Sequence, residues 1–320
     1  MQRFSESDLW NLWVVGAAEE QLSGSMVIVE PDGSGLIADE IIRSTPALFV
    51  SHTPWAPADV VVAPSEIPRL LDVFERTPLA AMALVILLRG SEQRSVHDGL
   101  IAESITYSML QGGPEFAAWR AAYRPRERMS EIGPAVTLEE TPRQFVITLS
   151  RPHVHNALNR RMRDALTDAL WATLLDPTHR PVMVRGVGPS FCSGGDLDEF
   201  GSFPSNAAAH LIRLTRSPAR AVYTLGSRMA MVIHGNCMGA GIELPAFTGS
   251  VTAGIDTVIA LPEVAMGLVP GAGGTISLPR RIGRQRTAWL ALTGERIDAE
   301  TALDWGLVDR IVDDVDRVGR

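Results

Sequence analysis

The chain has 320 residues, 46% of them hydrophobic and 21% charged, which leaves enough apolar surface for a sizeable core. A formal net charge of −8 argues against nucleic acid or an anionic membrane surface as a general partner. Two cysteines, Cys192 and Cys237, make no disulfide framework and point to a reducing compartment, read here as the cytoplasm.

The opening MQRFSESDLW has no basic segment followed by an apolar run, so no secretory signal is expected. The longest apolar run, residues 79–88, is too short to span a bilayer, so no membrane insertion is expected. Residues 13–15, 26–29, 47–50 and 60–62 predict short strands, and 68–76 and 97–120 predict helices, an alternation that suggests a packed α/β layer. The polar, proline-containing stretch 124–134 divides the chain into an N-terminal α/β extension, 1–135, and a second domain, 136–320. Within the extension, a helical pattern at 70–74 and an apolar run at 83–90 echo 166–171 and 181–186, and both runs end in Arg-Gly (Arg89-Gly90 and Arg185-Gly186). The extension reads either as a degenerate copy of one structural turn of the second domain or as an unrelated α/β segment used for packing or assembly. It has no counterpart of the SGGD motif described next and is assigned no chemistry.

In the second domain an apolar strand, 182–184, enters the turn Ser193-Gly194-Gly195-Asp196, where small residues let the backbone approach a ligand. A second strand, 231–233, leads into Gly239-Ala240-Gly241. Such a pair of turns can offer two backbone N–H donors to one developing oxyanion. Glu243 and Glu263 follow in the same frame and can move protons beside it. Taken singly, Glu243 is as well read as a glutamate at a helix start and Glu263 as a solvated loop acid. The glycines 235, 239 and 241 have the wrong spacing for a dinucleotide fingerprint, and Gly271-Ala272-Gly273-Gly274-Thr275 lacks the lysine of a phosphate-cradling loop. That run is read as a tight turn opening a helix. No His/Cys/Asp cluster has ligand spacing, so no metal site is expected. His234 reads as a structural histidine and Cys192 as a packing residue, since no histidine in its block is placed to activate it.

Five blocks in order carry a resemblance: RPHVHNAL from Arg151, SFCSGGDL, HGNCMGAGIEL from His234, PEVAMGLVPGAGGT from Pro262, and LTGERIDAETALDWGLVDRIV from Leu292. From about 145 to 312 the chain resembles the enoyl-CoA hydratase/isomerase (crotonase) superfamily. The resemblance implies an α/β fold with a crotonase-type spiral core of ββα turns, whose strands stack into two nearly perpendicular sheets. It implies an acyl-CoA thioester partner, no cofactor beyond the CoA of the substrate, and a homo-oligomer, a trimer or hexamer. It implies that the Gly195 and Ala240 amides form an oxyanion hole and that Glu243 and Glu263 occupy the two acid/base positions. Val154, Ser193, Asp196, Leu197 and Gly271 are implied to bind substrate, with His153 and His155 in the segment that passes the adenine of CoA.

Close carboxylates resist ionising together, so one glutamate is expected to be charged as base and the other protonated as acid. The activity expected is hydration of a 2-enoyl-CoA to a 3-hydroxyacyl-CoA; isomerase or other acyl-CoA chemistry on the same site, and non-catalytic acyl-CoA binding, are the alternatives. Relatives often carry a lysine two residues after the aspartate of the GGD turn, where this chain has Asp198. A carboxylate there repels phosphate, which leaves Arg151, Arg160 and Arg163 as candidate phosphate partners. The alanines of 201–220 are compatible with a bulky acyl group. Relatives continue beyond the last block into a helical tail that closes the acyl pocket or packs on a neighbouring subunit; with a short C-terminus here, the N-terminal extension is expected to cover the site.

Overall fold

The computed structural model describes residues 1–35, 39–125 and 133–318. In the first part, β1 (Gln2–Ser5), β2 (Met26–Glu30), β3 (Leu48–Ser51) and β4 (Val60–Val61) form a parallel sheet in the order β1-β2-β3-β4. Between them run α1 (Glu6–Val14), α2 (Ala18–Leu22) and α3 (Asp39–Ser44). A parallel sheet covered on both faces needs continuous apolar strands, and MVIV in β2 supplies one. Val27 and Val29 pack with Leu9, Leu22 and Phe49, while Met26 and Ile28 point to the other face and join the main core.

Three features differ from the sequence expectation. Residues 13–15 are not a strand but the end and cap of α1. Ser5 and Asp8 form a capping box at the helix start, and Leu9 anchors the helix in the core. The helical stretch 97–120 is two helices, α6 (Val96–Gln111) and α7 (Pro114–Ala122), after α4 (Ile67–Arg76) and α5 (Pro78–Arg89). Gly112-Gly113-Pro114 breaks it, because proline cannot donate inside a helix. The run 83–90, expected to echo the strand at 181–186, lies almost wholly in α5 and is helical, with Pro78 opening the helix. The echo is therefore one of letters only. The expected boundary stretch lies mostly at 126–132, outside the described residues.

Arg89, at the end of α5, is buried with Asp59. Its Nε and Nη2 donate to the two Asp59 oxygens at 2.8 and 2.7 Å, and Nη1 donates to the Thr45 carbonyl at 2.8 Å. Asp59 also accepts from the Phe49 amide at 2.9 Å, so the pair ties α5 to the parallel sheet. Arg89→Met leaves Asp59 buried without its main cation and is expected to lower unfolding free energy by about 3–5 kcal/mol, measured by urea denaturation.

The second part holds β5 (Val136–Glu140), β6 (Phe145–Leu149), α8 (Arg160–Leu174), β7 (Val182–Gly186), α9 (Asn206–Thr215), α10 (Pro218–Leu225), β8 (Met229–Ile233), β9 (Asn236–Met238) and α11 (Ala240–Glu243). It continues with β10 (Ser250–Gly254), β11 (Val258–Ala260), α12 (Gly274–Thr293), β12 (Ile297–Asp298), α13 (Ala299–Asp304) and β13 (Arg310–Val312). One sheet runs β13-β10-β8-β7-β6-β5, parallel except for the β5–β6 hairpin; a smaller sheet runs β12-β11-β9. Strand, turn and helix repeat so that the chain moves from the large sheet at β8 to the small sheet at β9 within a few residues, and both glycine turns follow such a move. The N-terminal helices dock on this body: α6 packs on α9, and α5 and α6 pack on α12.

Candidate active site

Backbone pairing fastens the two glycine turns together. Cys192 N–H donates to the Asn236 carbonyl at 3.3 Å, and Met238 N–H donates to the Cys192 carbonyl at 3.0 Å. The approach is so close that a Cβ at Gly241 would overlap the Cys192 carbonyl oxygen. Gly194, at φ +93°, lies in the left-handed region that favours glycine, and a Cβ there would sit 3.0 Å from the Met238 carbonyl oxygen. Cys192 and Cys237 are buried in this seam, and burial pushes both thiols well above their ordinary pKa. Cys192 is a packing residue, as expected, and Cys237 is buried beside it. His234 likewise is tied to backbone, its Nε2 lying 2.9 Å from the Gly188 carbonyl oxygen.

Gly195 and Ala240 both line a pocket of about 160 Å³, together with Glu243, Glu263, Gly271 and Ala272. Among the described residues no backbone oxygen accepts from the Gly195 or Ala240 amide. Glu243 ends α11, and its Oε2 accepts from the amides of Ala272 at 2.7 Å and Gly274 at 2.8 Å. Glu263 follows β11 and Pro262; its Oε2 is buried and has no partner among the described residues. The two acids converge on Gly239: a Cβ there would run into Glu263 Oε1 and lie 3.6 Å from Glu243 Oε1. Burial raises Glu243 to about 7 against the downward pull of its two amides. Burial first, and the charge of Glu243 second, hold Glu263 well above the usual carboxylate range.

A third acid was not anticipated. Glu103, on α6 of the N-terminal part, is buried and accepts from the Gly273 amide at 2.7 Å, the Thr275 amide at 2.9 Å and the Thr275 hydroxyl at 2.7 Å. The amides from Ala272 to Thr275 thus alternate between Glu243 and Glu103. Burial, then the charge of Glu243, raises Glu103 to about 8. The signal was present in the sequence: Val96, Gly99, Glu103, Tyr107 and Leu110 lie on one buried helical stripe, where a carboxylate is out of place unless it is bonded. From the same stripe Tyr107 reaches the glutamate pocket, as does Gln111, so the N-terminal part forms one wall of it.

On the other side of the SGGD turn lies a cleft of about 440 Å³ lined by Val154, Ser193, Leu197, His153, His155, Tyr123 and Arg296, and Gly195 lines both spaces. Gly271 lies against Tyr107, whose ring would be 2.6 Å from a Cβ at that position. The other residues singled out in the sequence have protein partners of their own. Asp196 lines the pocket, but its carboxylate pairs with Arg151 at 3.2 Å, both side chains only 2% exposed, so it braces the turn. Arg151 is for the same reason withdrawn from any phosphate, while Arg160 lies over the Phe203 ring and Arg163 pairs with Asp164. Asp198, expected to repel phosphate, accepts the Tyr123 hydroxyl at 2.7 Å and so fastens the N-terminal part beside the cleft. Of Ala207, Ala208 and Ala209, Ala209 alone lines the pocket, beside Phe203 and Tyr107, which narrow it. Among the described residues no group of three or more His, Cys, Asp or Glu could hold a metal ion, and no helix is long and apolar enough to cross a membrane.

Parallel strands that switch sheets at glycine turns, with open amides and acids around one pocket, define an α/β protein of the crotonase fold. The chain belongs to the enoyl-CoA hydratase/isomerase family, whose model matches residues 143–319. It is 36% identical over 171 residues to a probable enoyl-CoA hydratase of Rhodobacter capsulatus, covering 53% of this chain and 66% of that protein. It is 33% identical over 174 residues to the 1,2-epoxyphenylacetyl-CoA isomerase of Escherichia coli, again covering 53% of this chain and 66% of the relative. The chain therefore spans just under two thirds of these relatives' length. Among solved structures, it superposes on an enoyl-CoA hydratase from Thermoplasma volcanium with a TM-score of 0.51 and 32% identity, covering 57% of this chain and 73% of the other.

Proposed function

We propose that this protein adds water across the double bond of a 2-enoyl-CoA to give a 3-hydroxyacyl-CoA. The observation that carries the reading is the convergence of Glu243 and Glu263 on Gly239, beside the open amides of Gly195 and Ala240. In this reading the thioester oxygen accepts from those two amides, and a water lies between the two carboxyl groups. Glu243, which two amides help to ionise, takes a proton as the water oxygen bonds to C3. The π electrons move to the thioester oxygen, where the amides stabilise the charge. The carbonyl re-forms as C2 takes a proton from Glu263, whose buried Oε2 receives no donor among the described residues to help it ionise. Water is consumed, no redox partner is needed, and passage of the proton gained by Glu243 to Glu263 by way of the next water resets the pair.

The CoA portion is assigned to the cleft of Val154, Ser193 and Leu197, where Arg296 is the cation available to its phosphates in place of Arg151. The test is a panel of 2-enoyl-CoA thioesters followed by loss of the conjugated absorbance. Decay of that signal with formation of the 3-hydroxy product is the expected result. Binding without decay would replace this reading with acyl-CoA binding alone, and movement of the double bond without water uptake would replace it with isomerisation.

A further inference from the structure

The wall of the glutamate pocket built by α6 and α9 carries a cation with no ion-pair partner among the described residues. Arg213, on α9, lines both the glutamate pocket and a chamber of about 80 Å³ behind it. Its guanidinium lies 4.7 Å from the Tyr107 ring centroid; Nε donates to Ser104 Oγ at 3.1 Å, Nη1 to Gln111 Oε1 at 3.5 Å, and Nη2 to Ser108 Oγ. Each of these partners is neutral, and each belongs to α6. Among the described residues no carboxylate stands within ion-pair distance of Arg213, whereas its neighbours Arg163 and Arg216 have Asp164 and Asp168 at 2.8 and 2.9 Å. The nearby acids are otherwise engaged. Glu103 is held by the α12 amides, Glu199 accepts from the Arg160 amide at 2.6 Å, and Glu243 and Glu263 converge at Gly239.

A cation drawn out of water onto neutral dipoles is costly unless an anion arrives to meet it. Burial does disfavour the charged form of Arg213. A planar guanidinium already oriented by a ring and two hydroxyls is suited to a carboxylate, which it can engage through two parallel hydrogen bonds. The phosphates of CoA belong to the other cleft, across Gly195, so the anion that meets Arg213 must sit on the acyl group. Resting on the reading of the site given above, we infer that the acyl chain ends in a carboxylate received by Arg213, so that the substrate is the CoA thioester of a short unsaturated dicarboxylic acid. The N-terminal part then supplies selectivity, since α6 holds the arginine in place.

The test pairs 2-enoyl-CoA thioesters of equal length, one ending in a methyl group and the other in a carboxylate, over a range of lengths. At the best length the wild-type protein is expected to favour the carboxylate member in kcat/KM by on the order of 100-fold. Arg213→Gln, in the same full-length chain, is expected to bring that ratio close to unity, and Arg213→Lys, which restores charge without the planar fork, to recover part of it. The ratio is read within one protein, so a general loss of folding cancels. A wild-type ratio near or below unity, or one that Arg213→Gln leaves in place, overturns the inference while hydration stands. If no thioester of the panel reacts, calorimetry with the saturated pairs decides. A preference for the carboxylate that disappears in Arg213→Gln upholds the anion site without the hydration chemistry, and equal binding overturns it.

Discussion

Under the proposed hydration, Glu243→Gln and Glu263→Gln are each expected to lower kcat by roughly 10³- to 10⁴-fold, near the upper end of what a positioned acid or base contributes. Glutamine keeps the shape and part of the hydrogen bonding but cannot exchange a proton. The two variants separate in their pH profiles. In the wild type, kcat/KM is expected to rise as Glu243, raised by burial to about 7, loses its proton, and to fall at higher pH as Glu263 loses its own. Glu263→Gln removes the falling limb from the residual rate. Glu243→Gln removes the rising limb, and because a neighbouring negative charge has gone, it also draws the pKa of Glu263 down, so that the falling limb moves to lower pH. Steady-state rates across pH with one reactive thioester test both statements. Retained turnover in Glu243→Gln would exclude the hydratase reading and favour double-bond isomerisation by Glu263.

Glu103→Ala is expected to cost roughly 3 kcal/mol of stability, because it leaves the Gly273 and Thr275 amides buried without an acceptor. It is also expected to lower kcat by about 100-fold, since the loop that orients Glu243 loses half of its anchors and a displacement of about 1 Å suffices for such a loss. Glu103 is a positioning residue, and Glu103→Gln distinguishes that role from packing alone. The amide restores much of the stability but removes a like charge that helps to hold the proton on Glu263, so the alkaline limb of the rate profile moves to lower pH. Stability responds to pH in the same sense. Glu103 and Glu243 have folded pKa values raised to about 8 and about 7 from 4.5, so their contribution is fully present below about pH 4.5 and is lost as pH rises through 7 and 8. Thermal melts from pH 5 to pH 9 should decline for the wild type and decline less for Glu103→Gln.

Much of the second part was legible because its chemistry is written in contiguous blocks. Gly194, Gly195, Gly239 and Gly241 stand where backbone must approach backbone, and that requirement shows in local sequence as directly as in space. The N-terminal part was less legible. Residues 13–15 carry strand-like side chains, but the capping box eight to ten residues earlier decides the matter, and the apolar run in α5 suits a buried helix as well as a buried strand. Arg151 illustrates another limit: an arginine reads as a surface cation until Asp196, far along the chain, is placed against it. Glu103 shows locally only as a carboxylate on a buried stripe of α6; the groups that it and Arg213 meet lie across the two parts, and no local pattern encodes those contacts.

The handover of successive amides between Glu103 and Glu243 makes the reactive loop common property of two distant stretches of chain. Undocking α6 would strip alternate anchors from that loop and also unseat Tyr107 from the pocket wall. A ligand that filled the pocket would therefore act as a clasp across the seam: occupancy would strengthen the cohesion of the whole molecule, and cohesion would in turn govern how well the occupant is held.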